Sequence, residues 1–176
     1  MFDAAAVVAG DQIIALLEAA RWAATWGHRQ PVRFVVGIRG DETFGKICAV
    51  LKKGNHYATA AGALVLACAE EGPDDRTALY AAVDAGAAIA QLTIEAVSRG
   101  LVAHPMAGFL PDAAQDAFAI PEGTRPIAVI AIGSLGDYSA APPEILERDA
   151  MSRRRLPLED IAFSGNWGTP FEAPQE

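Results

Sequence analysis

The chain carries little chemistry of its own. Only three histidines, His28, His56 and His104, are spread over 176 residues. HExxH, CxxC, Walker-loop and nucleophile-elbow spacings are missing. Their absence excludes the metalloprotease, thioredoxin-type, P-loop and α/β-hydrolase chemistries built on them. No GxGxxG follows a strand-like run, which removes the dinucleotide fingerprint of a doubly wound domain. The two cysteines, Cys48 and Cys68, have neither disulfide-framework nor zinc spacing. Both sit in apolar stretches, as buried thiols of a reducing compartment do. Positive charge is also short. A net charge of −8 leaves no overall basic field to attract nucleic acid. The start, MFDAAAVVAGDQ, has no basic region ahead of its short apolar run, so it is a poor signal peptide. No uninterrupted apolar run reaches the length of a membrane span. The expectation is a cytoplasmic protein with neither a nucleic-acid nor a membrane partner.

What is present is core-forming. Just over half of the residues are hydrophobic (52%), enough for one full core at this length. Ile13, Ile14, Leu17, Ala20 and Ala24 recur at helical spacing, which predicts a helix capped by Asp11. The polar turn TWGHRQP ends it. Pro31 then opens VRFVVGI, whose near-continuous β-branched character predicts a strand buried on both faces. Asp41 to Lys53 reads as a second helix stopped by Gly54. Ala63 to Ala69 reads as a core strand. The longest helix is predicted over Thr77 to Arg99, apolar on most of its circumference, hence buried centrally or at a subunit interface. Gly86 inside it costs about 1 kcal/mol relative to alanine, a sign of close packing against another backbone. A short strand at Leu101, a helix from Pro111 to Ala119 and the strand PIAVIAIG follow. Past Gly136 apolar periodicity fades. The expected organisation is a core over 1–140 and a C-terminal arm over 141–176, part of the same domain, lying on the core or on a partner.

One stretch stands out: His104-Pro105-Met106-Ala107-Gly108-Phe109. Two very small residues follow a strand and precede an aromatic, leaving open space beside the backbone. A chain with so little acid–base equipment borrows its chemistry from a cofactor.

Five stretches in order, LLEAARWAATWGHRQPVRFVV, GNHYATAAGALVL, DAGAAIAQLTIEAVSRGLVAHPMAGF, IPEGTRPIAVIAIG and RRRLPLEDIAFSGNWG, resemble the FMN-dependent nitroreductase family. The resemblance implies an α+β fold, a three-layer α/β/α sandwich with a mixed, mainly antiparallel sheet, assembled as an intertwined homodimer. It implies FMN at the dimer interface, NAD(P)H as electron donor, and a small planar acceptor, a nitroaromatic or quinone, reduced by ping-pong hydride transfer. In that pattern the backbone N–H of Ala107 faces flavin N5, with Pro105, Met106 and Gly108 forming the turn beside the ring. Thr25 and His28 stand where the family has serine and asparagine, in a turn that reaches the flavin from the other protomer; Ala24 replaces a proline there. Asn55 matches a flavin-binding asparagine, and Arg153 and Arg155 match cations that hold the FMN phosphate. The family's Arg-Ser-x-Arg-like motif has no counterpart ahead of Asp11. Two other readings stay open: a catalytically silent relative with weak or no flavin binding, and a flavin enzyme running another reduction, such as dehalogenation.

Overall fold

Alternation along two strands builds the centre. In β2 (Ala63–Glu70), Leu64, Leu66 and Cys68 join one apolar cluster, while Ala63, Val65 and Ala67 join another. In β4 (Thr124–Gly133), Val129 and Ala131 take the first side, Ile130 and Ile132 the second. This is the period-two pattern of a pleated strand with both faces covered. The structure, a computed structural model, describes residues 1–173. It contains two compact units, Met1–Tyr138 and a second that begins at Ser139.

The first unit holds a four-stranded sheet in the order β1-β2-β4-β3, with β1 at Val32–Ile38 and β3 at Val102–Met106. All three strand pairs are antiparallel. One face is covered by α1 (Gly10–Arg21) and α3 (Asp75–Ser98), through Leu16, Ala20, Ala88, Leu92 and Ala96. The other is covered by α2 (Glu42–Ala49), a 3₁₀ segment over Lys53–Ala60, and α4 (Pro111–Ala117). The result is the expected α/β/α sandwich.

Several local expectations change. Ala9, not Asp11, caps α1: its N–H donates to Gln12 Oε1 at 2.9 Å. β1 is an edge strand, so most of it is half-buried rather than covered on both faces. α2 stops at Ala49, and Gly54 lies inside the 3₁₀ segment instead of terminating a helix. The backbone is pulled out of the helix there by an antiparallel bridge between Leu51 and Phe109. A Cβ added at Gly86 would meet nothing within 4 Å, so among the described residues no backbone outside its own helix crosses it. α3 is, by length and composition, apolar enough to cross a membrane. It packs instead on α1 and the sheet through Ala88, Leu92 and Ala96.

The N-terminal residues form a strap. Phe2 is buried, Asp3 N donates to Ser134 O at 2.9 Å, and Gly136 N donates to Met1 O at 3.0 Å. The Arg39 guanidinium donates to Ala60 O at 3.0 Å and also to the Ala6 carbonyl, pinning the strap. Gly133 allows this approach: a Cβ there would stand 3.0 Å from the Phe2 ring.

The second unit contains α5 (Pro143–Ala150), an irregular run through Arg153–Arg155, and a 3₁₀ turn at Leu158–Asp160. A tight loop follows. Phe163 and Pro170 pair as a bridge, Ser164 N donates to Thr169 O at 2.9 Å, and the Phe163 and Trp167 rings lie 5.1 Å apart.

Candidate functional site

The HPMAGF stretch is a junction of three backbones. β3 pairs with β4 as far as Met106↔Val129. Pro105 is tolerated because β3 is an edge strand and needs no donor on its outer side. The Met106 side chain is buried in the core, so the turn can offer only its backbone. Ala107 lies one residue past the last ladder pair and is exposed. Its carbonyl accepts from Phe109 N at 3.0 Å, which curls the chain tightly.

Phe109 is fully buried and anchors the turn from below. Leu110 N donates to Val50 O and Lys52 N donates to Gly108 O, both at 2.9 Å. These bonds lock the turn to the end of α2. Asn55 completes the arrangement. Its Nδ2 donates to Gly108 O at 3.0 Å, and its own N–H donates to Lys52 O at 2.8 Å. A Cβ on Gly108 would land on Asn55 Nδ2 and stand 3.2 Å from its Cγ. The missing side chain at 108 therefore makes room first for the Asn55 amide. Asn55 and the Ala107–Gly108 turn, separate stretches of sequence, are brought together.

Thr25 and His28 are placed elsewhere. Their turn continues from α1 on the opposite face of the sheet; Thr25 is half-buried and His28 exposed. Asp84, only 4% exposed on α3, accepts from Trp26 N at 3.0 Å. The Trp26 ring stacks on Tyr80 with centroids 4.8 Å apart, and the Arg76 guanidinium lies over its ring. Thr25 and Asp84 also line a cavity of about 510 Å³ with Ile14, Leu17, Phe34 and Ala88. Its walls are mainly apolar, with Glu18, Arg21, Arg33 and Asp84 among them, and belong to the α1–α3 layer and β1, away from Asn55 and Gly108. Within one chain the structure does not join the Thr25–His28 turn to the Asn55–Gly108 turn. Arg153 and Arg155 lie on the irregular run of the second unit and are exposed.

Three features escaped the sequence reading. The Lys52 N–H fixes Gly108, a backbone role with no sequence signature. Asp84 could have been found, being the one charged residue in the stretch ALYAAVDAGAAIA of that helix. Tyr57 and His104 meet edge-on, with ring centroids 5.9 Å apart, beside the junction. The cysteines are structural: burial pushes the Cys68 thiol up to about 11 and raises that of half-buried Cys48 as well. Among the described residues no group of His, Cys, Asp and Glu is placed to hold a metal ion.

A sequence model of the nitroreductase family matches residues 42–134, more than half of the chain and the part that contains Asn55, Ala107 and Gly108. The protein belongs to the nitroreductase family. A 15.4 kDa protein from the 5′ region of ask in Mycolicibacterium smegmatis is 60% identical over 148 residues, covering 80% of this chain and all of its own length. A solved structure described as an oxidoreductase containing FMN is 31% identical, with a TM-score of 0.86, over 94% of this chain and 86% of its own. A protein from Exiguobacterium sibiricum solved in complex with FMN shares the fold, with a TM-score of 0.77 at 18% identity over 92% and 89% of the two chains.

Proposed function

We propose that this nitroreductase-family protein is an FMN-dependent oxidoreductase, taking electrons from NAD(P)H and passing them to a planar acceptor such as a nitroaromatic or a quinone. The observation that carries the reading is the junction of Asn55, Gly108 and Ala107. It offers an exposed Ala107 beside a glycine and, filling the space at that glycine, an amide whose Oδ1 is left over after Nδ2 is spent on Gly108 O. That donor set fits the edge of a flavin ring. Bound FMN supplies the hydride-transfer chemistry. The chain's own part would be to hold the flavin through Asn55 and the Ala107–Gly108 turn, to offer the Ala107 N–H to negative charge developing on the ring, and to bind the phosphate through Arg153 and Arg155. The FMN-containing relative at 31% identity supports the same cofactor.

The working unit in this reading is a homodimer. The outer face of α3 carries Leu79, Val83, Ile94 and Val97, all exposed at 57–64%, with Gly86 and Ala90 between them, also exposed. A stripe of large apolar residues around a small-residue centre fits a second copy of the same helix crossing closely. The Thr25–His28 turn of one protomer then completes the cradle of the other, and the exposed Leu156, Leu158, Ile161 and Trp167 of the second unit find cover. Purified protein titrated with FMN should take up one flavin per chain and show a protein-shifted flavin spectrum. Initial rates should give parallel double-reciprocal lines, since one cradle serves both reactants in turn. Failure to bind FMN would leave the silent-relative reading in possession.

A further inference from the structure

Almost every cation of the first unit is engaged. Arg21, Arg33, Lys46, Arg99 and Arg125 each bond a carboxylate, at 2.5 to 3.0 Å. Arg29 and Arg39 donate to backbone carbonyls, and Arg76 lies over Trp26. Lys52 and Lys53 are the two that have no partner among the described residues, and both are exposed. They are two of only three lysines in the sequence, the third being the paired Lys46. In a chain of net charge −8, carboxylates are abundant, so two adjacent unpaired lysines are a localised positive feature rather than part of a mixed surface.

Their backbone position is fixed at the site. Lys52 N donates to Gly108 O, and Lys52 O accepts from Asn55 N at 2.8 Å. Exposed His56 follows directly after Asn55. The lysine stems are thus rooted on the rim of the Asn55–Gly108 cradle while their ammonium groups reach outward. An ammonium is a compact, mobile charge suited to an anion whose position changes between reactants.

We infer that Lys52 and Lys53 are specificity-determining residues that recruit reactants carrying a phosphate or carboxylate group to the cradle. The inference rests on the flavoenzyme reading and adds to it the charge of the molecules the site prefers. Two sources share this chemistry: the 2′-phosphate that distinguishes NADPH from NADH, and a carboxylate on the acceptor. Recruitment of this kind acts on KM, is weakened by salt, and leaves kcat to the cradle itself.

The test uses the full-length protein loaded with FMN, as wild type, Lys52→Ala, Lys53→Ala and the double variant. Four quantities are measured: FMN affinity by fluorescence titration, NADP⁺ and NAD⁺ affinity by calorimetry, KM for NADPH and NADH, and KM for a carboxylated and a neutral quinone of the same ring system. The double variant should keep FMN affinity and kcat, and lose roughly tenfold in KM for the anionic member of one pair. Its salt dependence for that reactant should flatten. Loss confined to NADPH and NADP⁺ assigns the donor as the source; loss confined to the carboxylated quinone assigns the acceptor. Unchanged ratios in both pairs with FMN bound overturn the inference and leave the flavoenzyme reading standing. A fall in FMN affinity instead overturns it by assigning the lysines to the flavin phosphate. Failure of the wild type to bind FMN overturns both.

Discussion

Replacing Gly108 by alanine should separate what this residue does for the fold from what it does for the flavin. Its φ is not among the positive values of the chain, so alanine introduces no backbone strain. The new Cβ would land on Asn55 Nδ2 and lie 3.2 Å from Cγ. The Asn55 side chain can swing aside, but it then gives up its 3.0 Å bond to Gly108 O. That carbonyl keeps the Lys52 N–H at 2.9 Å, so no buried acceptor is orphaned. The loss is one neutral hydrogen bond, about 0.5–1.5 kcal/mol. It is partly offset by about 0.4–1 kcal/mol from the stiffer unfolded chain. Unfolding free energies of wild type and variant from urea titration should therefore agree within about 1 kcal/mol. Flavin affinity should not be spared. An Asn55 amide displaced from its place loses a hydrogen bond to the ring, worth roughly 2- to 13-fold in Kd. Because the effect runs through Asn55, the losses must not add. In a flavin-fluorescence titration Asn55→Ala should weaken binding by a similar factor, and the double variant should be no worse than Asn55→Ala. A full additional loss in the double variant would refute the reasoning, as would wild-type affinity in Gly108→Ala.

Other expectations follow from single contacts. Gly37→Ala in β1 puts a Cβ onto the Phe44 backbone and within 2.9 Å of Thr43 C; backbone cannot step aside, so urea unfolding should register a loss of about 1–3 kcal/mol. Val83→Glu on the exposed face of α3 should yield a folded monomer, and light scattering at micromolar concentration that still reports a dimer would remove α3 from the interface. Arg155→Ala should weaken FMN binding more than Arg154→Ala, since Arg153 and Arg155 are the cations proposed to hold the flavin phosphate; equal losses in a titration would contradict it. With its thiol at about 11, Cys68 should stay unlabelled by iodoacetamide at pH 8 until the protein unfolds, while half-buried Cys48 reacts first; rapid labelling of Cys68 would show that the strand opens.

The parts of the fold legible in the sequence were those with local causes. β2 and β4 read correctly because a strand covered on both faces is apolar at every position. β1 looked the same and was misjudged, since its place at the sheet edge is decided by the order of strands and not by its own residues. α2 was drawn too long because the bridge that stops it, Leu51 to Phe109, joins residues far apart in sequence. The site followed the same rule. Asn55 and the Ala107–Gly108 turn could be named from the family pattern, but their contact depends on a hydrogen bond spanning 53 residues. Lys52 and Lys53 were overlooked because their interest lies in what the other cations are doing. The N-terminal strap left only an indirect trace, small residues at Gly62, Gly133 and Gly136 where a second backbone passes.

That strap has a consequence for how the protein is made. Met1 N donates to Tyr138 Oη across 137 residues, and the Met1 carbonyl is held by Gly136. The Met1–Asp3 segment thus waits for partners made about 137 residues after it. At translation speeds of about 5–20 residues per second the delay is roughly 7–27 s. During that time Phe2 and Val8, both buried in the finished unit, stay exposed, as does the end of β2 they will cover. Closing so distant a contact is also slow in its own right. The nascent chain is vulnerable until Tyr138 has been made, and a chaperone that meets it before then would find Met1 to Val8 still undocked.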